Sequence, residues 1–547
     1  MKAVAGLALV CALGQLGTVF LHSFGCSPAA AGKCNAWHAR VPSLQRSAVP
    51  ASIELSDEDS GDTLPEALQE SVEWLRRLGA RGLDGVRVGW SHAGPGARYG
   101  MFASRDFDDE DVILAVPLSA CLSTHSATLP ERTLDESLSV GESNLEFAKR
   151  IVDEKLQGVR SAFQPHLDLL GPSCVPSEHP LLWAGRADSR EDGFVDAMQA
   201  ILQELATVSP AAHAHWENAA TQGLAADTLG GTEVRQTLSV VSSRTFFYEG
   251  KWYLAPVVDY MNHWSGPEHP QAPDRQPCHV DLRRDEVKIV AERPIKKGEE
   301  LQFVYSKYNN MELLFYYGFV PDTNVFNNVA AYLSPAALAS SLHDADIGDF
   351  SRRGAAASKE LQEARMIVLQ RHGWDDPSEP MYFQLPEASG VGGTLAPIFR
   401  LLALQSPQAV LDGENSLFWM ETQSSPAAVS WKLEGLARTL ECRWLDEVLS
   451  VYRATISRIE GTSATSSSST GALFAKAIRS EIALLEEERE AAGKFVADAR
   501  RVLELESAGQ EEEAASKLKA LRRDWWGELT GWRNEWTGWT GVRVPLG

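Results

Sequence analysis

Residues 252–263 read WYLAPVVDYMNH and run on into WSGPEHP. An almost unbroken apolar run ends in Asp259, Asn262 and His263, three polar side chains within five residues. Polar groups where a buried strand should end are either hydrogen-bonded structure or a working site, because each one left unpaired costs about 1–3 kcal/mol. A metal reading recruits His263 with His269 and Asp259, but Pro267 and Pro270 interrupt the stretch and no ligand spacing is met. A serine hydrolase needs its nucleophile on a tight elbow, and the chain has no G-x-S-x-G.

The surrounding chain narrows the choice. Its 547 residues exceed one compact core and suggest two or three domains. A composition 44% hydrophobic and 23% charged is that of a soluble globular protein. The formal net charge of −23 argues against nucleic acid as a partner, since phosphate binding rests on clustered Lys and Arg; a basic protein or peptide is easier to accommodate. The seven Cys (11, 26, 34, 121, 174, 278 and 442) include no CxxC and no His at metal-ligand spacing. We therefore expect no zinc cluster, no other metal and no disulfide framework.

Residues 1–53 stand apart as a targeting presequence or N-terminal anchor. An apolar stretch (AVAGLALVCALGQLGTVFL) is followed by an Arg-, Ser- and Ala-containing segment with no acid before Glu54. That order resembles a bipartite plastid presequence; a mitochondrial address, a simple signal peptide or a membrane anchor through residues 4–21 also fits. Membrane contact is expected only if the apolar segment is retained.

An acidic linker (54–62) leads to a helix over 63–80, with Leu64, Leu68, Val72, Leu75 and Leu78 on one face. GVRVGWSHAGPGARYGMFASRDFDDEDVILAVP alternates β-prone runs with Gly-rich turns, and residues 143–245 have helical periodicity. CHVDLRRDEVKIVAERPIKKGEELQFVYS (278–306) reads as a hairpin followed by a strand. Split strand sets around a helical segment make this an α+β domain over 63–325. Residues 326–520 read as helices with polar connections, including a long one at 472–506 after a Ser-rich flexible loop (462–471). A Trp-rich tail (521–547) closes the chain, with Trp525, Trp526, Trp532, Trp536 and Trp539; terminal packing is favoured over a binding patch.

VVDYMNH, followed by KKGEELQFVYSKYNNMELLFYYGFVPDTN, resembles the D-x-x-N-H and G-E-x-x-x-x-Y … N-x-E-L-L-x-x-Y-G-F motifs of SET-domain methyltransferases, within them the Rubisco large-subunit lysine methyltransferase-like branch. GARYGMFASRDFDDEDVILAVP resembles that family's first motif, and the resemblance covers about residues 63–520. It implies a SET-domain β-fold with a helical insertion at about 143–245, followed by an all-α substrate-binding domain. The implied cofactor is S-adenosyl-L-methionine, and the implied activity is lysine methylation of a non-histone protein, a stromal protein if the address is plastidic. Protein-histidine methylation and a non-catalytic interaction role are the alternatives.

The resemblance also implies residue roles. Asn262 would bind the cofactor's aminocarboxypropyl part, the His263 backbone its adenine, and Arg244 its carboxylate. The backbone of Ala97, Arg98, Tyr99 and Gly100 would cradle the cofactor's other side. Tyr305 would lie near the transferring methyl, Tyr317 would complete the lysine channel, and Asp259 would hold the crossed-chain segment. This chain departs from the family's frequent E-G-x-G at the first turn, where it has Ala97-Arg98-Tyr99-Gly100, and from the usual Gly after the tyrosine, where it has Ser306.

Overall fold

The computed structural model describes residues 66–91, 99–124, 140–170, 178–184, 193–249, 251–266, 275–283, 285–334, 359–371, 381–386, 395–404, 406–418, 431–462, 465 and 468–536. The presequence, the linker, Ala97, Arg98, His269 and residues 537–547 of the tail lie outside them.

The first helix, α1 (Glu66–Arg77), buries Leu68, Ser71, Trp74 and Leu75, while Leu78 falls past its end and is exposed. The β module that follows is split into small sheets. Strands β1 (Val86–Trp90) and β2 (Tyr99–Ala103) form an antiparallel hairpin. Strand β3 (Val112–Pro117) pairs with β9 (Glu286–Ala291), which pairs in turn with β8 (Cys278–Arg283). Strands β4 (Leu122–Ser123), β5 (Thr245–Tyr248) and β6 (Lys251–Leu254) make a third sheet in the order β4-β6-β5. The hairpin read at 278–306 is thus present. Its following strand is cut to β10 (Gln302–Phe303), which runs parallel to the equally short β7 (Asn262–His263).

Between β4 and β5 the chain is helical: α2 (Val140–Lys155), the single turn α3 (Gln164–Leu167), α4 (Phe194–Leu205) and α5 (Ala211–Arg244), the last broken at Gly230–Gly231. Helix α6 (Asn310–Tyr317) follows β10. Its N-terminus is fixed by a reciprocal capping box, in which Asn309 Oδ1 accepts from the Glu312 amide at 2.8 Å and Glu312 Oε2 accepts from the Asn309 amide at 2.8 Å. Gly318 ends it at φ +77°, and a Cβ there would sit 2.9 Å from His179 Cα, so the Gly of the Y-G-F motif is sterically required.

The C-terminal region is helical: α7 (Lys359–Arg371), α8 (Leu395–Ala403), α9 (Pro407–Phe418), α10 (Trp431–Gly461), α11 (Ser469–Ser507) and α12 (Glu511–Trp536). One strand pair sits at its root, β11 (Val329–Leu333) antiparallel to β12 (Met381–Leu385). MYFQL alternates as a strand does, but five residues among long helices give little periodicity to read. Helix α11 buries Phe474, Ile478, Leu485, Ala492, Val496 and Val502 along one side, as its spacing implies. Ahead of it, Thr465 of the Ser-rich segment is buried and its hydroxyl donates to the Ile459 carbonyl at 2.5 Å, so this part of the segment is packed structure.

One apolar core runs through both halves, from Leu75 and Met101 to Phe474 and Leu485. Polar bonds reinforce the junction. Asn310 and Asn327 each donate to Ser480 Oγ on α11, at 2.9 and 3.2 Å, and Lys476 donates to the Val320 carbonyl at 2.7 Å. The segment 308–328 is thereby clamped against the helical half.

Candidate active site

Strand β6 ends at Leu254, and the chain then turns sharply. Val257 has φ +70°, costly for a β-branched residue, and is buried. The strain delivers Asp259, Asn262 and His263 in three different directions. Asp259 is buried, and its Oδ2 lies 3.3 Å from Nε2 of the fully buried His166 on α3. Its carboxylate therefore ties the turn to the helical insertion. Arg244, the last residue of α5, donates to the Asp259 carbonyl and braces the same turn from the other side.

Asn262 faces the opposite way. Its Nδ2 donates to Glu300 Oε1 at 2.7 Å and to the Tyr99 carbonyl at 3.2 Å, spanning to β2. Ser91 Oγ donates to Glu300 Oε2 at 2.9 Å. Gly100 lies under this cluster: a Cβ there would stand 2.3 Å from Glu300 Oε1 and 3.0 Å from Asn262 Nδ2. Tyr99 is partly exposed at 38% and forms an edge-to-face run with Trp90 and Tyr260, at centroid distances of 5.8 and 6.3 Å.

His263 is buried, and burial lowers its imidazole pKa to about 4. Its Nδ1 accepts the Tyr305 amide at 3.2 Å, which assigns the proton to Nε2. Nε2 has no protein partner. Tyr305 lies two residues beyond β10, not at a strand end, and its hydroxyl donates to the Met261 carbonyl at 2.7 Å. Its ring packs on His263 (5.2 Å), Phe303 (5.0 Å) and Tyr317 (4.7 Å). Tyr317 also meets Tyr308 at 6.0 Å and Phe319 at 6.3 Å, so the wall is aromatic along its length. Burial raises the Tyr305 phenol to about 12, with the Arg244 charge opposing and the Glu300 charge reinforcing the rise, and it carries Tyr317 well above the usual tyrosine range. Both hydroxyls keep their protons at neutral pH.

Asn262, His263, Tyr305, Tyr317, Arg244, Tyr99, Gly100 and Asp259 are thus brought together, while Ala97 and Arg98 lie outside the described residues. Sequence reasoning missed Glu300, Ser91, His166 and Tyr308. Glu300 and Tyr308 stood inside the quoted stretch that begins KKGEE, and Ser91 inside the quoted β-prone stretch, but no role was read for them. Among the described residues no three His, Cys, Asp or Glu side chains are grouped to hold a metal ion.

This geometry, short parallel strands crossing beside an aromatic wall with a helical insertion, defines an α+β fold of known type. Residues 98–306 match the family model for the SET domain. Two curated proteins are similar to it: mouse N-lysine methyltransferase SETD6, 25% identical over 283 residues (47% of this chain, 55% of that protein), and its rat counterpart, 25% identical over 278 residues (46% and 54%). The chain spans about half the length of these relatives. The solved structure of Rubisco LSMT bound to sinefungin and monomethyllysine shares the fold, with 17% identity, a TM-score of 0.51, and coverage of 80% of this chain and 93% of that one.

Proposed function

We propose that this protein is an S-adenosyl-L-methionine-dependent protein-lysine N-methyltransferase acting on a non-histone protein. The observation that carries the reading is the convergence of Asn262, Tyr305 and Tyr317 from separate elements beside the glycine cradle at Gly100. The names of the SETD6 relatives and the ligands of the Rubisco LSMT structure support it.

The residues fit such a cofactor. The buried Nε2–H of His263 has no acceptor within the protein, and opposite charges, Arg244 and Glu300, both act on the Tyr305 hydroxyl. An acceptor atom on the bound cofactor would meet the first of these. When bound, S-adenosylmethionine would supply a sulfonium-activated methyl group for the lysine amine, with a neutral thioether as the leaving group.

The chain's own groups then have distinct tasks. Asn262 and the β7 backbone hold the cofactor in line with the incoming amine. The aromatic wall of Tyr305, Tyr317, Tyr308 and Phe319 excludes water and carries no phenolate at neutral pH, so a lysine entering it is pushed toward its free amine. Fixed by its bond to Met261, the Tyr305 hydroxyl presents its oxygen lone pairs toward the positive charge at the transfer point.

Calorimetry of S-adenosylmethionine on the purified full chain, together with mass-spectrometric mapping of labelled methyl groups in a protein extract, tests this reading. Binding and methyl-lysine are expected. A folded protein that binds no cofactor would overturn the enzyme in favour of an interaction role, and label on imidazole would move the target to histidine. We further propose a plastid location and a stromal substrate, on the acid-free segment 33–53; import into isolated plastids is the measurement, and a fusion retained on a membrane outside them would refute it.

A further inference from the structure

Helix α6 ends in Tyr316 and Tyr317, which have different neighbours. Tyr317 packs on Tyr305 in the aromatic wall, whereas Tyr316 is gripped at two points by the helical insertion. His179 Nε2 lies 3.0 Å from the Tyr316 carbonyl, and His215 Nδ1, on α5, lies 3.3 Å from the Tyr316 hydroxyl. We propose that His179, supported by His215, is a positioning residue for the lysine channel: by fixing Tyr316 it sets where Tyr317 stands against Tyr305. The proposal rests on the methyltransferase reading above.

The chemistry of His179 suits it to this grip. The side chain is fully buried, and burial lowers its pKa to about 4, with the bond to the Tyr316 carbonyl opposing, so one ring proton remains at neutral pH. Nδ1 accepts the Leu181 amide at 3.2 Å, which puts that proton on Nε2 and makes the imidazole a donor to Tyr316. Its acceptor lies in the last turn of α6, where backbone carbonyls have no partner within the helix. Gly318 permits the approach, since a Cβ there would meet His179 Cα at 2.9 Å.

The segment that carries His179 is itself anchored. Arg235, buried on α5, donates through Nη1 to the Leu181 and Ala184 carbonyls at 3.2 and 2.9 Å, and through Nε to Asp227 Oδ1 at 2.9 Å. Both histidines therefore refer α6 to the insertion. Tyr317 follows Tyr316 directly, with its ring 4.7 Å from Tyr305 and 6.0 Å from Tyr308, and Tyr308 packs on Tyr316 as well at 5.4 Å. Loss of the grip lets this turn shift, and a misplacement of about 1 Å beside the reacting atoms costs up to about a hundredfold in rate. Asn262 is bonded elsewhere, to Glu300 and the Tyr99 carbonyl, so cofactor affinity should not follow.

Two substitutions divide the histidine's bonds. His179→Asn leaves an amide near the place of Nδ1, within reach of the Leu181 amide, and is too short for Tyr316; His179→Gln reaches the place of Nε2. Full chain labelled with 3-fluorotyrosine is followed by fluorine NMR, the signals being assigned by single Tyr→Phe substitutions. His179→Asn should shift the Tyr317 signal and leave those of Tyr99 and Tyr248 in place, and His179→Gln should return it toward wild type. With poly-L-lysine as methyl acceptor, His179→Asn should slow transfer at saturating S-adenosylmethionine by about tenfold, with cofactor affinity within about twofold, and His179→Gln should recover most of the rate. An unmoved Tyr317 signal in His179→Asn overturns the proposal, as does a loss of rate that His179→Gln shares in full. If His179→Asn does not fold, Tyr316→Phe decides: it deletes only the hydroxyl contact with His215, and an unmoved Tyr317 signal there overturns the proposal too. A folded wild type that binds no S-adenosylmethionine sinks the methyltransferase reading, while the Tyr317 signal still decides the positioning.

Discussion

Among the described residues, two clusters of buried polar groups are built on opposite plans. In the helical half, Arg400, Glu434, Arg438 and Glu441 form a closed chain: Arg400 Nε donates to Glu434 Oε2 at 2.6 Å, Arg438 Nε to Glu434 Oε1 at 3.2 Å, and Arg438 Nη1 to Glu441 Oε2 at 2.5 Å. Beside the strained turn of the SET half, by contrast, Asp259 Oδ1, His166 Nδ1 and His263 Nε2 are buried with no protein partner. The saturated cluster is architecture. The unsaturated one keeps atoms in reserve, and the reserve at His263 is where a ligand is expected. Arg365 blurs the line, since its Nε and Nη1 have no partner; but Nη2 donates to the Leu402 and Leu404 carbonyls, which places a cation at the C-terminal end of α8.

The largest effect should come from opening the closed chain. Burial pushes the Glu434 carboxyl up, but Arg400 and Arg438 more than offset this and hold it below the usual carboxylate range. Glu434→Gln removes the carboxylate that two buried guanidinium groups share and should cost about 3–5 kcal/mol in chemical denaturation, or leave no folded protein. A loss below about 1 kcal/mol would mean that the chain is not the structural anchor described here.

Acidification should separate the halves next. His179 and His263 are held near pKa 4 by burial, against 6.5 for the free side chain; at His179 the bond to the Tyr316 carbonyl opposes the shift. Between those values the unfolded chain binds protons that the folded chain refuses. Stability is therefore full above about pH 6.5 and falls as pH drops toward 4, by up to about 3 kcal/mol per imidazole. Glu481 on α11 has the opposite sign. Burial raises it to about 8 against 4.5, with the Tyr452 hydroxyl opposing and Glu312 adding to the rise, so its contribution is full below 4.5 and is lost as pH climbs toward 8. Unfolding midpoints across pH 4–9 should form a dome. Glu481→Gln should flatten its alkaline side only, and an unchanged alkaline slope would contradict the assignment.

How much of this was legible beforehand follows the same division. The split β-fold, the hairpin at 278–291 and helix α11 could be read because alternation and helical spacing persist over many residues. The site residues were named through motif resemblance, since β7 and β10 are two residues long and carry no periodicity of their own. Glu300 and His166 went unread because their partners, Asn262 and Asp259, are 38 and 93 residues away. The strain at Val257 was equally silent, as nothing in VVDYM signals a positive φ. Motifs named the site's residues, but only the fold tells which of their atoms are already engaged.

Gly100→Ala tests whether the site is as tightly drawn as its hydrogen bonds suggest. The added methyl must displace Glu300 or Asn262, and overpacking of this kind costs about 1–3 kcal/mol. We expect that loss in thermal unfolding, together with at least about a tenfold loss of S-adenosylmethionine affinity. Unaltered stability would mean that β2 can give way, and that position 100 does not constrain the cluster.

Tyr305→Phe should have the smallest effect on folding, and for that reason separates function from structure most cleanly. The ring contacts with His263 and Tyr317 survive, and only the hydroxyl bond to Met261 is lost. One neutral hydrogen bond is worth about 0.5–1.5 kcal/mol, so the variant should melt close to wild type. Cofactor affinity should stay within about threefold while methyl transfer slows by about 10²–10³, the loss typical of one group that acts on charge at the transfer point. If affinity collapses instead, Tyr305 belongs with the Asn262 and Glu300 cluster as part of the cofactor's seat, and the lysine-facing role falls to Tyr317.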